Sequence, residues 1–311
     1  MEEKKVFLII NSYFIGDILL VNPLIQNIKR IYKNSVVVMI SSPQLYDIAK
    51  YQQGVDDVII WDRNGKDKGF FNMIKFIFKF PYKKIYAAFP IYSTDRPTIL
   101  AKLLGAKYIL GQYRNFISKL QKRKYDIKFS GGKVQKTNIE LLTGITQEEL
   151  TDCPMKFCPP PVTSPVIKNL ENKDFIALCP KSSRVSKDIP NDKVQEIIEK
   201  TDKTIVLIGG GEEAEKLSEF LKDKNYSNLI NIIGETSLIE SAQAIQLSKG
   251  CISADTGMLH ISCALDKATI GIYYEQGLGH FEPDKNIYPK SACLRDDSVE
   301  NILNTMNNLL N

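Results

Sequence analysis

The sequence predicts an α/β protein of two doubly wound domains facing across a cleft. Three observations predict it. Short β-branched runs alternate with helix-period stretches along all 311 residues. The runs are continuously apolar, as in parallel strands covered on both faces. One proline-rich break interrupts the alternation near the middle, and the pattern then restarts.

In the first half, strands are expected at VFLII (6–10), SVVVMI (35–40), VDDVIIW (55–61), KIYAAF (84–89) and YILG (108–111). Between the first two, Ile18, Leu20, Val21, Leu24, Ile25, Ile28 and Ile31 recur at helical spacing within 17–33. The segment CPPPVTSPVIKN (158–169) holds four prolines, which continue neither a helix nor a sheet interior. This places a first domain at 1–157, a linker at 158–170 and a second domain at 171–311. Second-domain strands are expected at FIALCP (175–180), TIVLIGG (204–210), LINIIG (229–234), GCISAD (250–255) and ATIGIYY (268–274). The last helix, SVENILNTMNNLL (298–310), is free in this reading to pack back on the first domain. Ligands of such sheets bind beyond the carboxyl ends of the strands, and a cleft between two such domains is the expected site.

Composition narrows the class. Apolar content is 43% and charged content 25%, and no run reaches the roughly 20 apolar residues of a membrane helix. The start, MEEKKVFLIINS, reads as a first strand and not as a signal peptide, which predicts a cytoplasmic protein. Six scattered cysteines form no Cys-x-x-Cys pair, and His260 and His280 are the only histidines, so reduced thiols and no metal site are expected. Charge is uneven. Residues 1–150 carry 24 Lys and Arg against 13 Asp and Glu, a net +11, whereas 151–311 carry 17 against 23, a net −6. Nine of the first-half cations, Lys107, Arg114, Lys119, Lys122, Arg123, Lys124, Lys128, Lys133 and Lys136, lie in 107–136 against Asp126 alone. Such a half suits an anionic surface or substrate, or reflects a preference for surface lysine; nucleic acid is not an expected partner.

Four stretches carry candidate chemistry. After the first strand, Gly16 permits a tight turn at the cleft and Asp17 opens a helix. A carboxylate at a strand's carboxyl edge can take a proton from a hydroxyl; an Asp there also serves as a helix cap. In CPKSSRVSKDIP (179–190), Ser182, Ser183, Arg184 and Lys187 offer hydroxyls, N–H groups and positive charge, the combination that phosphate binding needs and a polar surface loop also shows. IVLIGGGEEAEKL (205–217) has the layout of a nucleotide-binding turn, with Glu212 and Glu213 placed for a ribose or for the helix dipole. It is neither a full GxGxxG nor a Walker A motif, which disfavours a nicotinamide oxidoreductase. In CISADTGMLH (251–260), Asp255, Thr256 and Gly257 end a strand and begin a helix that carries His260 one turn in, where it serves the site or the core. An aspartic protease needs two such Asp residues, and the chain has one Asp-Thr-Gly.

Taken in order, these pieces resemble the ADP-heptose:lipopolysaccharide heptosyltransferases, bacterial glycosyltransferases of family 9 with the GT-B fold of two Rossmann-like domains. The residues that carry the resemblance are Gly16-Asp17 with Pro23-Leu24, Leu104-Gly105-Ala106 before Gly111, Ser182-Ser183 through Lys187 and Pro190, Ser237-Leu238, and the block SADTGMLHISCAL. The resemblance implies a nucleotide-diphosphate sugar, ADP-linked, held by the second domain, and an anionic glycolipid acceptor of lipopolysaccharide-core type held by the first. It implies Asp17 as general base of one inverting displacement. It also implies donor contacts from Ser182, Ser183, Lys187, Asp255, Thr256, Gly257 and His260, and one ribose contact from Glu212 or Glu213. No Asp-x-Asp motif occurs, which favours transfer without a metal. The basic stretch 107–136 and the Lys-studded segment GFFNMIKFIFKFPYKK (69–84) suit peripheral contact with the inner face of the inner membrane; the latter also reads as an ordinary core-facing helix.

The sequence departs from the family at three places. Ile189 replaces a Trp before Pro190, Ala87 to Pro90 stand where Asp-Leu-Gln follows the fourth strand, and EQGLGHFEP (275–283) replaces Gly-Pro-Thr. These departures leave open another nucleotide-sugar or acceptor, as in capsule or glycoprotein assembly, or a non-catalytic relative that binds a nucleotide-sugar.

Overall fold

The computed structural model describes residues 4–11, 13–91, 95–112, 119–274, 281–295 and 297–311. Its contacts divide the chain into two compact units, Met1–Met155 and Lys156–Asn311.

The first unit is a parallel sheet of β1 (Lys5–Ile10), β2 (Ser35–Ser41), β3 (Asp57–Ile60), β4 (Ile85–Pro90) and β5 (Tyr108–Ile109), in the order β3-β2-β1-β4-β5. Helices α1 (Ile15–Leu19), α2 (Asn22–Ile31), α3 (Tyr46–Lys50), α4 (Phe70–Lys79), α5 (Asp95–Leu103) and α6 (Val134–Glu140) accompany it. Leu8, Ile10, Val38 and Ile40 pack on one face with Trp61, Phe76 and Phe80. Phe7, Ile9, Val37 and Met39, which alternate with them, are equally buried. Burial on both faces explains why the strand runs are apolar without alternation. The helical stretch 17–33 divides into α1 and α2 because Pro23 has no N–H for the Leu19 carbonyl and its ring crowds that carbonyl. At the break, the Asn138 amide donates to the Leu20 carbonyl at 3.1 Å.

The second unit is a parallel sheet of β6 (Phe175–Cys179), β7 (Thr204–Leu207), β8 (Leu229–Asn231), β9 (Gly250–Ala254), β10 (Ala268–Ile272) and β11 (Ser291–Leu294), in the order β11-β10-β9-β6-β7-β8. Counted from β6, this is the 3-2-1-4-5-6 winding of dinucleotide-binding sheets. The winding reverses between β6 and β9, so a crevice opens at their carboxyl ends. Strand β11 is absent from the sequence-based expectation. Its four residues, SACL, include no β-branched side chain, and pairing with β10 makes it a strand.

Helices α7 (Pro165–Lys168), α8 (Asn191–Lys200), α9 (Glu212–Leu221), α10 (Leu238–Leu247), α11 (Gly257–Ala264) and α12 (Val299–Leu310) complete the unit. The proline-rich segment runs along this unit: the Phe157 N–H donates to the Ala264 carbonyl at 3.1 Å, and the Gln243 amide donates to the Pro160 and Pro161 carbonyls at 2.9 and 3.2 Å. The division thus falls two residues earlier than the sequence placed it, after Met155. Helix α12 is not left free. Val299, Ile302 and Met306 sit in the second unit's core. Among the described residues, no helix is long and apolar enough to cross a membrane.

Gly250 makes the close approach of α12 possible. A Cβ there lies 2.8 Å from the Met306 sulfur and 2.9 Å from the Ala268 carbonyl oxygen, which belongs to the neighbouring strand and cannot swing aside. Gly250→Ala is therefore expected to destabilise the second unit by about 1–3 kcal/mol, read as a lower urea midpoint. An unchanged midpoint would show that the sheet absorbs the methyl group.

Candidate active site

Strand β6 ends at Cys179, and the next eleven residues return the chain to α8. The Ile189 N–H closes this loop on the Pro180 carbonyl at 2.9 Å. Lys181 ties the base of the loop: its Nζ donates to Asn191 Oδ1 at 2.7 Å and to the Ile189 carbonyl at 3.3 Å, and stands 3.6 Å from Asp188 Oδ2. The other oxygen of Asp188 accepts the Ser182 N–H at 2.7 Å. Both charged side chains are buried, so each depends on the other. The tie leaves Ser183, Arg184 and Val185 at an exposed tip, with one 3-10 turn over Val185–Lys187.

That turn aims Lys187 across the crevice. Its Nζ lies 2.5 Å from Asp255 Oδ2, with both side chains mostly buried. Asp255 follows β9 directly, so the pair spans the two strands between which the winding reverses. Thr256 then caps α11: its Oγ1 accepts the Met258 N–H at 3.2 Å and meets Ser253 Oγ at 3.3 Å. Gly257 is the first residue of that helix. His260 lies below, buried and stacked on Phe281 at 4.4 Å, with no partner at Nδ1. Burial lowers its pKa to about 4, against the opposing attraction of Asp255, and Lys187 lowers it further. The imidazole is therefore neutral at pH 7.

The glycine turn opens one strand further along the same edge. Gly211 adopts φ +87° as the N-cap of α9, a conformation that favours glycine. Glu212 and Glu213 stand at the start of that helix, and both carboxylates bind Lys216, at 2.8 and 2.7 Å. Lys216 holds the Glu212 carboxyl below its usual range. The structure thus gathers Ser182, Ser183, Lys187, Asp255, Thr256, Gly257 and His260 around one crevice, and leaves Glu212 and Glu213 engaged with a surface lysine beside it.

In the first unit, Asp17 lies at the carboxyl side of β1, half-buried, in the first turn of α1. It is not the helix cap. That position is Phe14, whose extended backbone carries no side-chain cap, and Asp17 follows Ile15 and Gly16 into the helix. Its carboxylate remains favourably placed for the helix dipole. Asn11, at the end of β1, and Ser41, at the end of β2, are buried polar residues at the same edge that sequence reasoning missed. The basic stretch is solvent-facing at Lys122, Lys124, Lys128 and Lys136, while Arg123 pairs with Asp126 at 3.0 Å; Arg114 lies outside the described residues.

The three sequence departures sort differently once placed. Ile189 is fully buried in the second unit's core, and Ala87, Ala88 and Phe89 lie inside β4, buried as well. Of the 275–283 segment, residues 275–280, with His280, lie outside the described residues. Among the described residues, no group of three or more His, Cys, Asp or Glu is arranged to hold a metal ion. Lys181 and Asp188 also escaped sequence reasoning. Both are printed in the loop, but only the fold shows that they meet.

Residues 146–293 match the model of glycosyltransferase family 9 (heptosyltransferase). A family 9 glycosyl transferase from Veillonella parvula superposes with a TM-score of 0.84 at 14% identity, covering 100% of this chain and 98% of that one. The heptosyltransferase WaaC of E. coli, solved with ADP, gives 0.78 at 16% identity over 98% and 99%. The ADP-heptose lps heptosyltransferase II of E. coli gives 0.75 at 16% identity over 98% of each chain. Comparison with curated protein sequences returns no match. The chain shares the two-domain α/β fold of these GT-B structures. The segment that matches the family 9 model takes in both the Lys187 loop and the Asp255 loop.

The Lys181–Asp188 tie is testable as a coupled pair. Lys181→Met leaves a buried carboxylate and is expected to cost about 3–5 kcal/mol. Adding Asp188→Leu should recover part of the loss, measured as a double-mutant cycle from urea unfolding. Additive losses would show that the two charges do not support each other.

Proposed function

We propose that this protein transfers a heptose-like sugar from an ADP-sugar to an anionic glycolipid of lipopolysaccharide-core type, with inversion. The observation that carries the reading is the Lys187–Asp255 pair at the winding reversal of the second sheet, beside the Ser182–Ser183 loop. A diphosphate brought to this place meets a lysine ammonium, an arginine at the loop tip, two hydroxyls and the start of α11. Asp255 holds Lys187 in position before the donor arrives. The phosphate oxygens then share or replace that partner, which frees the carboxylate for sugar hydroxyls. WaaC was solved with ADP and with ADP-2-deoxy-2-fluoro heptose, which supports ADP as the nucleotide.

In the transfer, the Asp17 carboxylate takes the proton of an acceptor hydroxyl. That oxygen bonds to the anomeric carbon from the face opposite the leaving group, and the bond from this carbon to the diphosphate oxygen breaks. ADP leaves with the electron pair, and its new negative charge falls on Lys187 and the loop N–H groups. A neutral His260 fits this scheme as packing under the Asp255 loop, not as a proton donor. One of Glu212 and Glu213 turns from Lys216 to the ribose. The chain works in the cytoplasm at the inner face of the inner membrane, with the exposed lysines of 107–136 toward a phosphate-bearing acceptor.

Asp17→Asn is expected to lower turnover about a thousandfold while the affinity for ADP stays within about twofold. Near-normal turnover would remove Asp17 from the base's role. The donor is tested separately. In thermal-shift titrations against ADP-, GDP- and UDP-sugars, the ADP-sugar should raise the melting temperature most. A larger shift with another nucleotide would favour a capsule or glycoprotein pathway on the same machinery, and no shift with any would favour a protein that has lost donor binding.

A further inference from the structure

Helix α4 in the first unit carries three of the most exposed large apolar side chains: Phe70, Phe71 and Phe78 are 65%, 81% and 80% exposed. The helix is firmly seated. Phe76 on its inner side packs against Trp61 at 6.1 Å and Phe80 at 5.9 Å, and Met73 and Ile77 join the same cluster. Its outward face is therefore fixed. Phe71, Lys75, Phe78 and Lys79 recur there at helical spacing and form one stripe of alternating phenyl and ammonium groups.

The surroundings share that character. Residues 66–84 contain six lysines and one acid, Asp67. Asp67 is turned to its own loop, where its carboxylate accepts the Asp62 N–H at 2.8 Å. Among the described residues, Lys66, Lys68, Lys75 and Lys79 form no ion pair with a carboxylate. The occupant must therefore offer hydrocarbon and negative charge side by side along a helix about 15 Å long. A groove in a protein partner would have to match three protruding rings in shape. A bilayer surface needs no such match: rings enter the acyl boundary while lysine stems reach up to the phosphates.

We infer that α4 is an interfacial anchor that seats the first unit on an anionic lipid bilayer, with Phe71 and Phe78 in the acyl boundary and Lys68, Lys75 and Lys79 at the headgroup phosphates. The inference rests on this surface alone and does not depend on the transfer reaction, so its test uses no catalysis. The full chain is co-sedimented with vesicles of phosphatidylcholine, and with vesicles in which roughly one-third of the lipid is phosphatidylglycerol. Binding is expected to the anionic vesicles only, and to weaken as salt rises. Phe71→Ser/Phe78→Ser and Lys75→Ser/Lys79→Ser should each lower partitioning about tenfold or more. All four side chains are exposed, so an unchanged melting temperature confirms that each variant is folded. Phe71→Trp should shift its emission to the blue with anionic vesicles and not with neutral ones. Absence of vesicle binding by the natural chain, or variants that bind as tightly as it does, overturns the proposal. So does a dimer of the natural chain that Phe71→Ser/Phe78→Ser splits into monomers, because α4 would then cover a second copy of itself.

Discussion

A parallel sheet covered by helices on both faces has nowhere inside it for polar chemistry, and this constraint orders the rest of the molecule. In the second unit every residue of β6, β9 and β10 is buried, so no side chain within those strands can meet a substrate. Chemistry is displaced to the residues just past the strands' carboxyl ends. There the chain leaves the sheet, N–H groups of the next helix begin, and side chains reach water. Lys187 and Asp255 sit in that position after two neighbouring strands, and Asp17 sits there after β1.

Placing Lys187 and Asp255 in contact solves an electrostatic difficulty. A lysine buried to this degree without a partner is strongly disfavoured, and Asp255 supplies the partner. The carboxylate holds the ammonium in one place. It also keeps the net local charge near zero, so that the neutral state of His260 is set first by burial, with Asp255 and Lys187 acting in opposite senses. The same logic operates one layer deeper at Lys181 and Asp188, but there the pair is enclosed, and its effect is to fix the shape of the loop. The Lys187 and Asp255 side chains are 14% and 10% exposed, against 8% and 6% for Lys181 and Asp188.

Much of this was legible in the sequence because it is local. All ten expected strands form, since continuous β-branched runs bounded by Gly, Pro and polar residues leave little else for the chain to do. The Asp255 loop was legible for the same reason: strand, Asp-Thr-Gly and helix are contiguous. What escaped depends on partners distant in sequence. Strand β11 exists only by pairing with β10, and SACL alone carries no strand signal. The proline segment looked like a free linker because its anchors, Gln243 and Ala264, lie about a hundred residues on. Asp17 resembled a cap from its place near a helix start, and only backbone angles assign that position to Phe14. Ile189 looked like a change in a binding pocket, and its burial shows a change in the packing beneath the loop.

The uneven charge of the two halves acquires a physical meaning from pairing. In the second unit the cations are largely engaged: Lys181 with Asp188, Lys187 with Asp255, Lys200 with Glu196, Lys216 with Glu212 and Glu213, Lys249 with Asp174, and Lys290 with Asp266. Paired charges cancel beyond a few ångströms, so their influence is short-ranged and positional. In the first unit Lys66, Lys68, Lys75, Lys79, Lys122, Lys128 and Lys136 stand in solvent against few acids. Unpaired charges add, and their field extends about a Debye length, roughly 8 Å at physiological salt. One fold is thus used twice with opposite electrostatics. The second unit pairs its charges at fixed points, and the first spreads charge over a surface. The exposed phenylalanines of α4 supply what the spread charge lacks, a contact that acts only at close range and in one orientation.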